Sequence, residues 1–291
     1  MKTILITGAN SGIGLSSAQA LLAQGHHIVL LCRTREKAQQ TKSQLLSSIS
    51  GQITCWAADF SSLAEVHRVS NEIVAQHPNL DVLINNAGSF NGQSLLSRDG
   101  FELTLAVNHL APMLLTLKLL PLLSGTESNP CRIVNVASGA HRRGRFDFTD
   151  PMLTRGYNSG KAYCQSKLAN ILFSTALASR LAPGCTVNSL HPGVVATQFA
   201  SGERGSYGFL FRFFKRWMKT PEAGADTVVF LANSPAVEGQ TGGYYRNRKL
   251  TKAARHARSE EDAERLWSWS IELLKPFLTE QEYSEVTKGR E

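Results

Sequence analysis

Two pairs of a phenol and an ammonium stand close together in the chain, Tyr157 with Lys161 and Tyr163 with Lys167. A free tyrosine hydroxyl ionises near pH 10 and a neighbouring ammonium favours the phenolate, so such a pair can exchange a proton with a reacting oxygen. Residues four apart share a face only where the segment is helical. Gly160 lies inside the first pair, whereas the second runs straight into Leu168, Ile171, Leu172, Thr175 and Leu177, a sustained helical pattern. Tyr163 and Lys167 are therefore the expected reacting pair, and Tyr157 is expected in a loop or a pocket wall.

A second constellation stands at the start. The apolar strand Ile4 to Thr7 runs into Gly8, Gly12 and Gly14, and a helical pattern opens at once with Ile13, Leu15, Ala18, Leu21 and Leu22. A strand, a glycine turn and a helix aim backbone N–H groups and the positive end of the helix dipole at one point, where residues without Cβ let a pyrophosphate approach. The expected ligand is a dinucleotide. Its ribose is read at the end of the next strand, His27 to Cys32, about 20 residues on, where an acid selects NAD and an arginine accommodates a 2′-phosphate. Arg33 stands there and points to NADP(H), with Arg35 or Lys37 as helpers or solvated charges.

Further strands follow. Gln52 to Phe60 carries Asp59 at its carboxyl end, placed to accept from an adenine amino group or to cap the next helix. Asp81 to Ile84 leads into Asn85, Asn86, Ala87 and Gly88, which suits a turn or a wall beside the cofactor ribose. Arg132 to Ala137 ends at Ser138, and a sixth strand ends at His191, Pro192 and Gly193. Gly242 to Arg246 reads as a last strand, and Ser259 caps a final helix to about 275. Strands alternating with helices predict one α/β domain over 1–291, a parallel sheet with helices on both faces.

Thr7-Gly8-Ala9-Asn10-Ser11-Gly12-Ile13-Gly14, the phrase Asn85 to Gly88, Asn108, Ser138, Tyr163 with Lys167, and His191-Pro192-Gly193 occur in the order that resembles the short-chain dehydrogenase/reductase family. Ala140-His141, Ala162 to Asn170 and Gly239 to Tyr245 resemble its retinol dehydrogenase branch and, less closely, protochlorophyllide reductases. The resemblance implies a Rossmann-type, doubly wound, mainly parallel seven-stranded sheet. It implies that Tyr163 is the general acid/base, that Lys167 lowers its pKa and binds ribose, that Ser138 holds the substrate oxygen, and that Asn108 anchors a proton-relay water. Cofactor contacts follow at Gly8, Asn10, Ser11, Gly12, Ile13, Gly14, Arg33, Asp59, Phe60, Asn86, Ala87, Gly88, Tyr163, Lys167, Pro192, Gly193, Val194 and Thr197. His191 is expected to shape a turn rather than to act as a base.

The expected activity is NADP(H)-dependent interconversion of a carbonyl and an alcohol on an apolar substrate, retinoid-like, aromatic or long-chain. The competing readings are a non-catalytic NADP-binding sensor or scaffold, and reduction of a carbon–carbon double bond in a porphyrin-like substrate. Tyr207, Phe209, Phe211, Phe213, Phe214 and Trp217 fall within a substrate lid expected at about 196–220, and 207–219 also suits an amphipathic contact with an anionic membrane.

The net charge of +8 comes from scattered basic residues and brings no nucleic-acid motif. The five cysteines, an odd number without a CxxC pair, suggest a reducing compartment and no metal. With no leader ahead of the first strand and no apolar run expected to span a membrane, a cytoplasmic location is expected, peripheral to a membrane if the lid makes contact, and a homo-oligomer is an open expectation.

Overall fold

The strands of this chain are apolar on alternate residues toward both sides, and the sheet they build is buried on both faces. The computed structural model describes residues 1–123, 125–126, 130–194 and 219–287. The strands are β1 (Thr3–Thr7), β2 (His27–Cys32), β3 (Ile53–Ala57), β4 (Val82–Asn85), β5 (Cys131–Val136), β6 (Cys185–His191), β7 (Tyr244–Arg246) and β8 (Lys249–Thr251). They lie in the order β3-β2-β1-β4-β5-β6-β7-β8. The first seven are parallel, and β8 turns back antiparallel on β7. The seven parallel strands match the expectation. The eighth lies beyond it, because it is a three-residue hairpin arm, Lys249–Thr251, exposed along its length and without apolar alternation.

Alternation divides the core in two. Leu5, Leu31, Leu83, Ile133 and Val187 point to one side, against α3 (Leu63–Gln76), α5 (Ala111–Leu119), α6 (Ser159–Ala178) and α8 (Glu260–Leu274). Ile4, Ile6, Leu30, Ile84, Val134 and Leu190 point to the other, against α1 (Gly12–Ala23), α2 (Arg35–Leu46) and α7 (Pro221–Asn233). Helix starts follow their capping residues: the Thr34, Ser62, Asn158, Thr220 and Ser259 side chains each accept a backbone N–H of the first turn. The last helix, expected over 259–275, runs Glu260–Leu274, and a further short helix α9 (Glu280–Thr287) docks on it through Trp267 Nε1 and the Val286 carbonyl at 3.0 Å.

The chain winds outward from β1 to β3 and then crosses to β4 on the other side of β1, so the order reverses between β1 and β4. Ligands of open α/β sheets bind outside the carboxyl ends at such a point. The glycine turn follows β1 and the Asn86-Ala87-Gly88 turn follows β4, which puts both there.

Two features bear on the expectations drawn from the sequence. Leu103–Leu122 is long and apolar enough for a membrane span, with a mean hydropathy of 1.5, but its apolar window is 83% buried inside the protein. It is the central core helix of one sheet face. The five cysteines include a pair: Cys131 and Cys185, 54 residues apart, stand opposite each other in register on β5 and β6 and are joined as a disulfide. Spacing along the chain could not show a partnership created by strand register.

Candidate active site

Tyr163 and Lys167 lie one turn apart on α6, Tyr163 in the first turns and Lys167 facing the sheet. Lys167 is 4% exposed; its Nζ donates to the Val136 carbonyl at 3.0 Å and sits 5.8 Å from the Tyr163 ring centre. Burial lowers its pKa to about 8. The Tyr163 hydroxyl is pushed up to about 12 by burial, against the pull of a hydrogen bond from the Ser138 side chain. That hydrogen bond from Ser138 is a downward influence on the Tyr163 pKa.

Ser138 ends the strand run of β5 and caps a 3-10 turn, Gly139–Arg143, by accepting from Ala140 N at 3.2 Å. Two histidines hold this corner. His141 Nε2 accepts from Ala254 N at 3.2 Å, so its Nδ1 carries the proton and donates to the Ser138 carbonyl at 2.7 Å. His191 Nδ1 accepts from Gly139 N at 3.0 Å. Burial, with Arg246 next, lowers the His191 pKa to about 4, so it is a neutral acceptor that shapes the corner, in keeping with the turn role expected of it.

Asn108 lies in a π-helical turn, Ala106–Leu110, between α4 (Leu103–Leu105) and α5, a local geometry that concentrates at functional sites. Its Oδ1 accepts from Ser89 N at 2.6 Å, and both Nδ2 hydrogens are committed, to the Ser89 carbonyl and to Ser166 Oγ, each at 2.9 Å. Ser166 Oγ passes the connection to the Tyr163 carbonyl at 2.9 Å. Asn108, Tyr163, Lys167 and Ser138 are thus brought together by α6, the end of β5 and the π turn.

The glycine turn fits a dinucleotide. Gly8 and Gly12 have φ of +64 and +53, and a Cβ on Gly14 would meet the Gly8 carbonyl oxygen at 2.4 Å. The N-terminus of α1, following Asn10 and Ser11, carries no side-chain cap and no acid in its first turn, so its N–H groups and dipole face the crevice undiminished. Asn86 braces this turn: Nδ2 donates to the Thr7 and Gly8 carbonyls at 2.8 and 3.3 Å, while Thr7 Oγ1 accepts from Asn86 N and Ala87 N, both at 2.9 Å.

The remaining expected contacts fall into place unevenly. Arg33 is exposed beyond the end of β2, one residue before the helix cap. Asp59 Oδ1 accepts from Ser61 N at 2.9 Å and Oδ2 lies 3.9 Å from Arg98, while the cap of the next helix, α3, is supplied by Ser62 rather than by Asp59. The Phe60 side chain belongs to the core. Pro192 is buried, Gly193 has φ of +98, and Val194 is exposed at the end of β6, its carbonyl accepting from Lys219 N at 2.8 Å. Thr197 and the segment 207–219, apart from Lys219, lie outside the described residues, as does most of the expected lid.

Sequence reasoning passes over Ser89, Phe90 and Ser166. Phe90 stands edge-on to Tyr163 with ring centres 5.6 Å apart. Its only signal is its place two residues after Gly88, and Ser166 is marked only by standing one helical turn from Tyr163.

Comparison with known proteins places the chain in a family. The model of the short chain dehydrogenase family matches residues 2–207. Retinol dehydrogenase 14 of Mus musculus is 40% identical over 92% of this chain and 84% of its own length, and retinol dehydrogenase 12 of Homo sapiens is 37% identical over 94% and 86%. A crystal structure from Mycobacterium paratuberculosis covers 94% of both chains at 28% identity with a TM-score of 0.75. A short chain dehydrogenase of Escherichia coli CFT073, complexed with NADPH, covers 85% of this chain and 97% of its own at 25% identity and a TM-score of 0.65. The chain belongs to the short-chain dehydrogenase/reductase family, as an oxidoreductase of its retinol dehydrogenase-like branch.

Proposed function

We propose that this oxidoreductase is NADP(H)-dependent and interconverts a carbonyl and an alcohol on a large apolar substrate. The observation that carries the reading is the hydrogen bond from Ser138 to Tyr163, whose ring centre lies 5.8 Å from the Lys167 ammonium, in a chain whose glycine turn opens a helix without a side-chain cap. Gly8, Asn10, Ser11, Gly12, Ile13 and Gly14 would hold the pyrophosphate, Arg33 the 2′-phosphate, and Asp59 the adenine edge. Ala87, Gly88, Pro192, Gly193 and Val194 would line the nicotinamide end, with Thr197 as the further contact the family pattern implies. When bound, the cofactor supplies or accepts the hydride.

The chain's own residues manage the oxygen. In reduction the substrate oxygen gains negative charge and must receive a proton as that charge develops. Ser138 would donate to that oxygen and fix its distance from Tyr163, whose phenol, protonated at physiological pH, delivers the proton. Lys167 in its charged form favours the phenolate left behind and binds the ribose. Asn108 has spent both amide hydrogens on Ser89 and Ser166, so its backbone carbonyl is the group that would hold the relay water. The retinol dehydrogenase relatives support an apolar alcohol or aldehyde as substrate, the NADPH complex of the neighbour supports the coenzyme, and the aromatic residues of 207–219 support a lid that also touches a membrane surface from the cytoplasm.

The test is oxidation of NADPH, against NADH, over aldehydes and ketones graded from short-chain through aromatic to long isoprenoid. Turnover confined to large apolar carbonyls with NADPH is expected. Equal turnover of short polar carbonyls would contradict the substrate class, and preference for NADH would contradict the coenzyme.

A further inference from the structure

Tyr157, the phenol of the pair left out of the chemistry, stands just outside α6, ahead of its Asn158 cap. Its hydroxyl donates to the Asn91 carbonyl at 3.0 Å and lies 3.3 Å from Glu102 Oε1. Glu102 is 2% exposed, and a buried carboxylate needs donors on both oxygens. Oε1 accepts from Thr104 N at 2.9 Å and Oε2 from Leu105 N at 2.7 Å, so Glu102 fixes the start of the helix that carries the π turn. Asn91 is held from the same helix, its Nδ2 standing 3.2 Å from both Ser89 Oγ and Thr104 Oγ1.

The tripeptide Ser89-Phe90-Asn91 is therefore gripped at both ends. Asn108 holds Ser89 through two backbone hydrogen bonds, and Tyr157 with Glu102 holds Asn91. Between the grips, Phe90 presents its edge to Tyr163 at an interplanar angle of 76°. We infer that Tyr157 and Glu102 are positioning residues: they clamp the 89–91 loop so that Phe90 seals the reacting phenol from water and forms the substrate wall above it. The inference rests on Tyr163 being the proton donor. Loosening the clamp lets Phe90 lift, admits water to Tyr163, and removes part of the desolvation that raises its pKa. A residue that merely closes the loop for stability would change none of these properties of Tyr163.

The experiment compares Tyr157→Phe, Glu102→Gln, their double variant and Phe90→Leu for NADPH binding, thermal midpoint, and the pH dependence of alcohol oxidation. Tyr157→Phe removes one hydrogen bond to a charged and a carbonyl acceptor, so kcat is expected to fall roughly tenfold with NADPH affinity unchanged. The pH limb belonging to Tyr163 moves downward. The double variant is no worse than the poorer single one, because both remove the same clamp. Phe90→Leu leaves the loop hydrogen bonds intact and reproduces the downward shift of the limb, which keeps the proposal testable if a clamp variant folds poorly.

Unchanged kcat and an unmoved limb in Tyr157→Phe and Phe90→Leu would overturn the clamp and leave the proton donor standing. Complete loss of turnover in Tyr157→Phe, with an active Tyr163→Phe, would overturn the donor assignment and the clamp together.

Discussion

At the scale of single residues, the site depends on a charge that burial has already weakened. Lys167 ionises at about 8, well below the ordinary lysine value, because it is withdrawn from water. Carbonyl reduction needs it charged, to favour the phenolate that Tyr163 becomes. The charged form is complete below that pKa and is lost as pH rises through it. The kcat/KM for reduction at saturating NADPH is therefore predicted to fall with rising pH around 8, read from a pH–rate profile. A profile flat through that region would show that the Lys167 charge is not required. Arg33 acts at the surface instead, exposed at the end of β2. Arg33→Asp replaces an attraction for the 2′-phosphate with a repulsion, and the NADPH/NADH affinity ratio is predicted to drop by roughly a hundredfold. An unchanged ratio, measured by fluorescence titration, would remove Arg33 as the selector.

At the scale of elements, position comes from turns that tolerate no extra atom. The Asn86 amide and the Gly8 carbonyl both press on Gly14, and would stand 2.5 and 2.4 Å from an alanine Cβ placed there. Gly14→Ala is predicted to cost about 1–3 kcal/mol of stability through overpacking, and to lower NADPH affinity by forcing the turn open. Denaturant unfolding together with NADPH titration checks it, and an alanine variant equal to the parent in both would show that the turn can yield. These elements are legible in the sequence because their signals are local: glycines after an apolar strand, and a helical pattern after Tyr163. The π turn at Asn108 is not, since Ala106–Leu110 looks like any stretch of a leucine-rich helix and its contacts with α6 are tertiary. The β7–β8 hairpin escapes notice for want of apolar alternation, and the disulfide because strand register, not spacing, brings Cys131 to Cys185.

At the scale of the molecule, the reversal of strand order between β1 and β4 places the glycine turn, the Asn86 brace and the Phe90 loop at one end of the sheet, and β5 and α6 carry Ser138, Tyr163 and Lys167 there as well. Alternating strands and helices make this architecture readable. Which tyrosine meets which partner is readable only as far as helix continuity selects Tyr163. The fates of Tyr157 and Phe90 depend on tertiary contacts with residues more than fifty positions away, such as Asn91 with Tyr157. The central claim is that the assembled end transfers a proton through Tyr163. The most direct measurement is NADPH oxidation by Tyr163→Phe beside the parent, with NADPH affinity measured on the same samples. Loss of a general acid is predicted to slow turnover by about a thousandfold while NADPH binds as it does to the parent. Turnover close to the parent value, with that binding intact, would contradict the account.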